Sequence, residues 1–125
     1  MQFQLSPEQQ EISTLARRFA EREIVPRAAQ ADRDGAFAAD VHERALQLGL
    51  LNVNLPESVG GSGLGCLELV LVTEALCRGC LGIGTALCVN ALATEPILIA
   101  GNAEQQRHYL GLAAQGAIAS FAMTE

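Results

Sequence analysis

Leu5-Ser6-Pro7-Glu8-Gln9-Gln10-Glu11-Ile12-Ser13-Thr14-Leu15-Ala16-Arg17-Arg18-Phe19-Ala20 decides the fold class. Ser6 is a helix-capping residue, Pro7 suits the first helical position, and Gln9 is placed to close a capping box. Leu5, ahead of the cap, is placed to staple onto the first turns. Ile12, Leu15, Ala16, Phe19 and Ala20 then recur at three-and-four spacing, with Glu11, Arg17, Arg18 and Glu21 opposite. That is the period of an amphipathic α-helix. Ile24 and Val25 extend the stripe. Pro26 predicts an interruption, because it lacks a donor and crowds the preceding turn.

The rest of the chain keeps this helical character. An Ala-rich run resumes to Asp32 and stops at Asp34-Gly35. Asp40 is read as the cap of a second helix carrying Val41, Ala45, Leu46 and Leu48, ended by Gly49. Leu51-Asn-Val-Asn-Leu55 alternates as a short strand would. Pro56 and Gly60-Gly-Ser-Gly-Leu-Gly65 form a loop. Cys66 to Cys80 is an apolar helix marked only by Glu68, Glu74 and Arg78. A further apolar stretch runs from about Leu81 to Ala100, with a bend expected near Glu95-Pro96. Asn102 and Gln105 repeat the capping-box pattern ahead of Tyr109, Leu110 and Leu112. The chain closes on Ala117-Ile-Ala-Ser-Phe-Ala-Met-Thr-Glu125, which reads as an extended strand with no partner in view. The expectation is an all-α bundle of about five helices with a glycine-rich loop. The two helical stretches after residue 65 are apolar nearly all round, which suits the interior of something larger.

Composition narrows the chemistry. The 125 residues are half apolar, with a mean hydropathy of +0.23, enough for a core. All eight basic residues are arginine, so a P-loop lysine, a Schiff-base lysine and a lysine general base are excluded within this chain. A net charge of −6 without a basic cluster argues against nucleic acid. The N-terminus is polar and lacks a signal pattern, and the expected location is cytoplasmic. The apolar charge-free stretch Gly79 to Thr94 is shorter than the ~20 residues a bilayer needs, so a buried helix is expected rather than a membrane span.

The motifs of common active sites fail in turn. From Gly61 or Gly63 the third glycine of G-x-G-x-x-G falls on Cys66 or Glu68. Around Ser62 the nucleophile elbow ends on Leu64. Cys77 and Cys80 have C-x-x-C spacing at the end of an apolar helix, not after a strand, and are read with Cys66 and Cys88 as small buried hydrophobes. His42 and His108 lie in separate helices without metal-ligand spacing, and no metal is expected. Glu74 and Glu95 fall in apolar surroundings, where burial raises a carboxyl pKa.

The order of these features resembles the N-terminal helical domain of the acyl-CoA dehydrogenase family, medium-chain members especially. The resemblance runs through Leu5-Ser-Pro-Glu-Gln-Gln, Phe19-Ala-Glu-Arg-Glu-Ile-Val-Pro-Arg27 and Leu48-Gly-Leu-Leu. It continues in Pro56-Glu-Ser-Val-Gly-Gly-Ser-Gly-Leu-Gly65, Gly84-Thr-Ala, Pro96-Ile-Leu-Ile-Ala-Gly-Asn102 and Glu104-Gln-Gln-Arg-His-Tyr-Leu110. It ends on Phe121-Ala-Met-Thr-Glu125.

The resemblance implies an FAD flavoprotein built of a helical domain, a β-barrel domain and a C-terminal bundle. Such an enzyme oxidises the Cα–Cβ bond of an acyl-CoA thioester to the trans-2-enoyl-CoA. It passes electrons to an electron-transfer flavoprotein and is usually a homotetramer. The implied division is residues 1–116 for the helical domain and 117–125 for the start of the β domain. Phe121, Met123 and Thr124 are implied as cofactor contacts. Gly84, Thr85, Cys88 and Leu92 are implied as lining of the acyl tunnel, with Cys88 where medium-chain members have a glutamate. The family's catalytic base lies in the C-terminal bundle and matches nothing here, so residues 1–125 alone are expected to be inactive. Two other readings remain open at this level: a stand-alone helical interaction module, and an acyl-CoA oxidase-like relative.

Overall fold

The computed structural model describes residues 4–122. Among them the helices are α1 (Pro7–Phe19), α2 (Ala28–Asp34), α3 (Ala39–Gln47), α4 (Cys66–Gly79), α5 (Leu81–Cys88), α6 (Asn90–Ala100), α7 (Ala103–Gln105) and α8 (Gly111–Ala114). Short π and 3-10 segments join α1 to α2 and α7 to α8, and among the described residues there is no strand.

Both capping boxes form. Ser6 Oγ accepts from Gln9 N–H at 3.2 Å while Gln9 Oε1 accepts from Ser6 N–H at 2.9 Å. Asn102 Oδ1 and Gln105 Oε1 make the same exchange at 2.9 Å each. Pro26 interrupts its helix as expected: the chain widens into a π segment (Ala20–Ile24) and tightens into a 3-10 turn (Val25–Arg27) before α2. Around this joint Arg27 Nη1 donates to the Glu23 carbonyl at 2.8 Å and to Glu23 Oε2 at 3.0 Å.

Three local expectations change. Asp40 does not cap α3: Ala38 occupies the cap without a side-chain bond, and Asp40 lies in the first turn, paired to Arg27 at 3.3 Å. Leu51–Leu55 is not a strand. Asn52 takes φ +54°, so the stretch coils. Its alternation survives as burial, with Leu51, Val53 and Leu55 inside. The helix over 81–100 is interrupted at Val89 rather than near Glu95-Pro96. Pro96 sits inside α6, where its missing donor costs the helix one bond without stopping it.

The core gathers where α1, its π extension and α4 pack together. Phe19, Ile24, Val41, Leu50, Val53, Val72, Leu76, Ile83 and Leu87 form one cluster. Burying each such side chain contributes about 1.5–3 kcal/mol against leaving it wet. Leu55, Leu110 and Ala113 make a smaller one beneath Val59, Ile97 and Leu98. The expectation of a buried helix over Gly79–Thr94 holds only in part: Ile83, Leu87, Asn90 and Thr94 are buried, while Leu81 and Leu92 are exposed. The stretch Leu81–Ala100 is long and apolar enough to cross a membrane by length and composition alone, and 28% of its most apolar window is buried. Leu67, Val70, Leu81, Leu92 and Ile99 stand exposed on α4–α6.

Candidate functional site

The residues singled out from the sequence collect on α5, the start of α6 and the segment after α8. Gly84 is buried in the seam between α5 and α4. A Cβ there would stand 2.6 Å from Cys77 Cα and N, so the two helices approach as closely as only glycine permits. Cys88, one turn on, is half-buried beside the same seam. Burial pushes its thiol pKa up; Thr73 opposes this through a hydrogen bond, and the Cys77 thiol adds to it. Raised pKa values make a thiol a poorer nucleophile at neutral pH.

Thr85 and Leu92 point away from the core and are exposed. Gly84, Thr85, Cys88 and Leu92, expected on a single helical face, differ in burial. Gly84 and Cys88 form a seam, and Thr85 and Leu92 form an open edge. The opposite side of α5 lines a pocket of about 310 Å³, bounded by Ala31, Phe37, Cys80, Ile83 and Leu87. This second face was not anticipated from the sequence.

Phe121 is 45% exposed and Ile118 57% exposed at the end of the described chain. Met123 and Thr124 lie outside the described residues. Residues 117–122 pair with no strand among the described residues; they are held instead by a side chain that the sequence reading passed over. Asn90 is 5% exposed at the first position of α6. Its Nδ2 donates to the Ala117 carbonyl at 2.9 Å and its Oδ1 accepts from Ala119 N–H at 2.8 Å. The available signal was a lone amide inside an apolar run, which burial obliges to find partners.

The other polar candidates serve structure. Glu95 accepts from Asn54 Nδ2 at 2.7 Å, and Glu74 is exposed rather than enclosed by apolar neighbours. Asn54 Oδ1 is buried without a partner. His42 packs on Phe37 with ring centroids 5.8 Å apart, and burial lowers its pKa. His108 is exposed against Tyr109. The four cysteines are free thiols; Cys66 is exposed, contrary to its reading as a buried hydrophobe. Among the described residues no group of three or more His, Cys, Asp or Glu side chains is placed to hold a metal.

Comparison with known proteins bears on this arrangement. Residues 6–117 match the family model for the acyl-CoA dehydrogenase N-terminal domain. A probable medium-chain specific acyl-CoA dehydrogenase of Caenorhabditis briggsae is 42% identical over all of this chain, which spans 31% of that protein. A solved chain in a study of the electron transferring flavoprotein of Acidaminococcus fermentans superposes with a TM-score of 0.85 at 31% identity, over 93% of this chain and 31% of that one. An acyl-CoA dehydrogenase of Bacillus anthracis complexed with FAD gives 0.76 at 29% identity, over 90% of this chain and 19% of that one.

Proposed function

Because the chain belongs to the acyl-CoA dehydrogenase family, as its N-terminal domain, we propose that it forms one wall of an FAD-dependent acyl-CoA dehydrogenase site. The reaction is oxidation of the Cα–Cβ bond of an acyl-CoA thioester to the trans-2-enoyl thioester. The observation that carries this reading is the match of one family model to nearly the whole helical part of the chain. The chain spans about a third of the length of such relatives, so the wall is what it supplies.

Each proposed contact has a physical basis. Thr85 and Leu92 offer an exposed hydroxyl and an exposed apolar side chain on the side of α5 and α6 that this chain leaves uncovered. Cys88, half-buried behind them, presents a neutral, compact side chain at the back of that edge. Gly84 holds α5 tight to α4 and fixes the edge in place. An acyl chain laid there displaces water from apolar surface, which favours binding in proportion to the area covered.

The described residues fit a flavin at the chain's end in one respect: Phe121 is an aromatic ring left half open to receive a flat apolar partner. With Met123 and Thr124 it forms the proposed cofactor contact. FAD, when bound, takes the β-hydride; the protein orients it and excludes water. An electron-transfer flavoprotein is the proposed electron acceptor.

The test uses the protein encoded by the whole reading frame that contains this chain. It should purify with flavin absorbance, and that absorbance should bleach when a saturated acyl-CoA is added without oxygen. A protein that binds no flavin, or whose flavin ignores every straight-chain acyl-CoA from short to long, overturns the reading. Oxygen consumption without an added acceptor would point instead to an oxidase-like relative.

A further inference from the structure

We propose that Asn90 is a positioning residue, a peptide mimic that holds residues 117–119 in one register against the acyl-lining helices and so aims Phe121 at the cofactor. The aim at a cofactor rests on the function proposed above; the register itself does not.

The argument starts with burial. Asn90 is 5% exposed in the most apolar part of the chain. A buried carboxamide there is tolerated only if its donor and acceptor are both met. They are met by one short segment, two residues apart: Nδ2 to the Ala117 carbonyl at 2.9 Å, and Ala119 N–H to Oδ1 at 2.8 Å. Accepting from one residue and donating to the next but one is how a neighbouring β-strand addresses an extended chain. The carboxamide thus stands in for a strand that the described residues do not contain.

The same segment is fixed from its other side. Gly116 takes φ +98°, its N–H donates to the Ala113 carbonyl at 3.0 Å, and Ala117 N–H donates to the Leu112 carbonyl at 3.0 Å. That pair of bonds is the Schellman ending of a helix. Ala117 is therefore held by its N–H to α8 and by its carbonyl to α6. Only after Ala119 does the chain leave these anchors, two residues before Phe121. Asn90 itself lies between Cys88 and Leu92, just after the break at Val89. One side chain therefore ties the proposed acyl edge to the proposed cofactor segment.

The test needs two readouts on the 125-residue chain and one on the flavin-loaded protein. The chain has no tryptophan, so Phe121→Trp supplies a single indole, excited apart from Tyr109, at the segment's tip. In that background the Ala119 amide should be protected from hydrogen exchange, and the indole anisotropy should report a restrained ring. Asn90→Ala should remove the protection and lower the anisotropy. Ala119→Pro deletes the donor from a partly exposed position and should lower the anisotropy while the helical circular dichroism stays intact, so it carries the test if Asn90→Ala fails to fold.

An Ala119 amide that exchanges as fast as in an unstructured peptide, or an anisotropy that neither variant changes, overturns the proposal. In the flavin-loaded protein Asn90→Ala should release FAD roughly tenfold faster or more, because it removes both hydrogen bonds to the segment. Unchanged FAD release with altered exchange and anisotropy would retain the register and overturn its role toward the cofactor. Wild-type protein that never takes up FAD would overturn the function proposed above and leave the register standing.

Discussion

Gln9 Nε2 donates to Glu68 Oε1 at 2.8 Å, joining the first turns of α1 and α4 across 59 residues of sequence. Each partner also closes its own helix: Gln9 Oε1 accepts from Ser6 N–H, and Glu68 Oε2 accepts from Gly65 N–H at 2.9 Å. One bond thus couples the two caps at one end of the main helix pair.

This coupling gives the fold an acid-sensitive element. The Gln9 side chain, followed by backbone hydrogen bonds, holds the Glu68 carboxyl below its usual pKa. A carboxyl lowered on folding stabilises the protein fully above its unfolded pKa, and the contribution is lost as pH falls through the folded value. Thermal melts from neutral to acid pH should therefore show part of the acid destabilisation disappear in Glu68→Gln. The variant should be the less stable protein at neutral pH and converge on the wild type in acid. Parallel curves at all pH values would show that the bond does nothing for folding.

Gly84 makes the second prediction. Alanine normally improves a helix over glycine by about 1 kcal/mol. Here the added methyl would meet Cys77 Cα and N at 2.6 Å and the Leu76 carbonyl carbon at 2.8 Å, which is backbone and cannot swing aside. Overpacking of this kind costs about 1–3 kcal/mol, so the steric loss should outweigh the propensity gain. Gly84→Ala should lower the midpoint of denaturant unfolding. Gly82→Ala, in the same helix with nothing within 4 Å, should hold or raise it. Equal midpoints for the two variants would refute the close approach of α4 and α5.

The contrast between these elements explains what the sequence disclosed. Ser6–Gln9 and Asn102–Gln105 were legible because a capping box is local: donor, acceptor and spacing lie within four residues. Leu51–Leu55 was misread because alternation reports which side chains are buried. It cannot report that Asn52 turns the backbone through a left-handed conformation. The helix interruption falls at Val89 and not near Pro96, where it is expected because proline is visible in a sequence and Val89 carries no local signal. Asn90 has partners 27 and 29 residues away, so its role follows from tertiary packing alone. For the site, family-ordered motifs pointed to α5 and the chain's end. The division of that face into a buried seam and an open edge depends on α4 packing against Gly84, which no local pattern shows.

The third prediction concerns the charged cluster on α3 and the interrupted first helix. Glu23 Oε2 accepts from Arg44 Nη1 at 2.7 Å and from Arg27 Nη1 at 3.0 Å, and Arg27 also meets Asp40 at 3.3 Å. The carboxylate of Glu23 is 23% exposed while Arg44 is 52% exposed, so most of the network is wet. Such pairs are worth about 0.2–1 kcal/mol each and are screened by salt. Glu23→Gln should cost stability at low ionic strength, and the deficit should shrink in molar salt. A deficit that persists in molar salt would place its origin in the hydrogen bonds rather than the charges.

His42 supplies the last prediction, and its sign runs opposite to that of most paired histidines. Burial lowers its pKa from the ordinary value of 6.5, with no partner charge acting the other way. The folded protein therefore prefers the neutral imidazole that packs on Phe37. Between the lowered pKa and 6.5 the unfolded chain binds more protons than the folded one, so stability rises with pH across that window. The contribution is fully present above 6.5 and is lost as pH falls toward the folded pKa. His42→Gln, which keeps a polar side chain of similar reach and cannot titrate, should flatten this part of the stability profile. The slope assigned to Glu68, which lies further into acid, should remain. A wild-type profile already flat below neutrality, before the carboxylates begin to protonate, would show that His42 is as well hydrated in the folded chain as in the unfolded one.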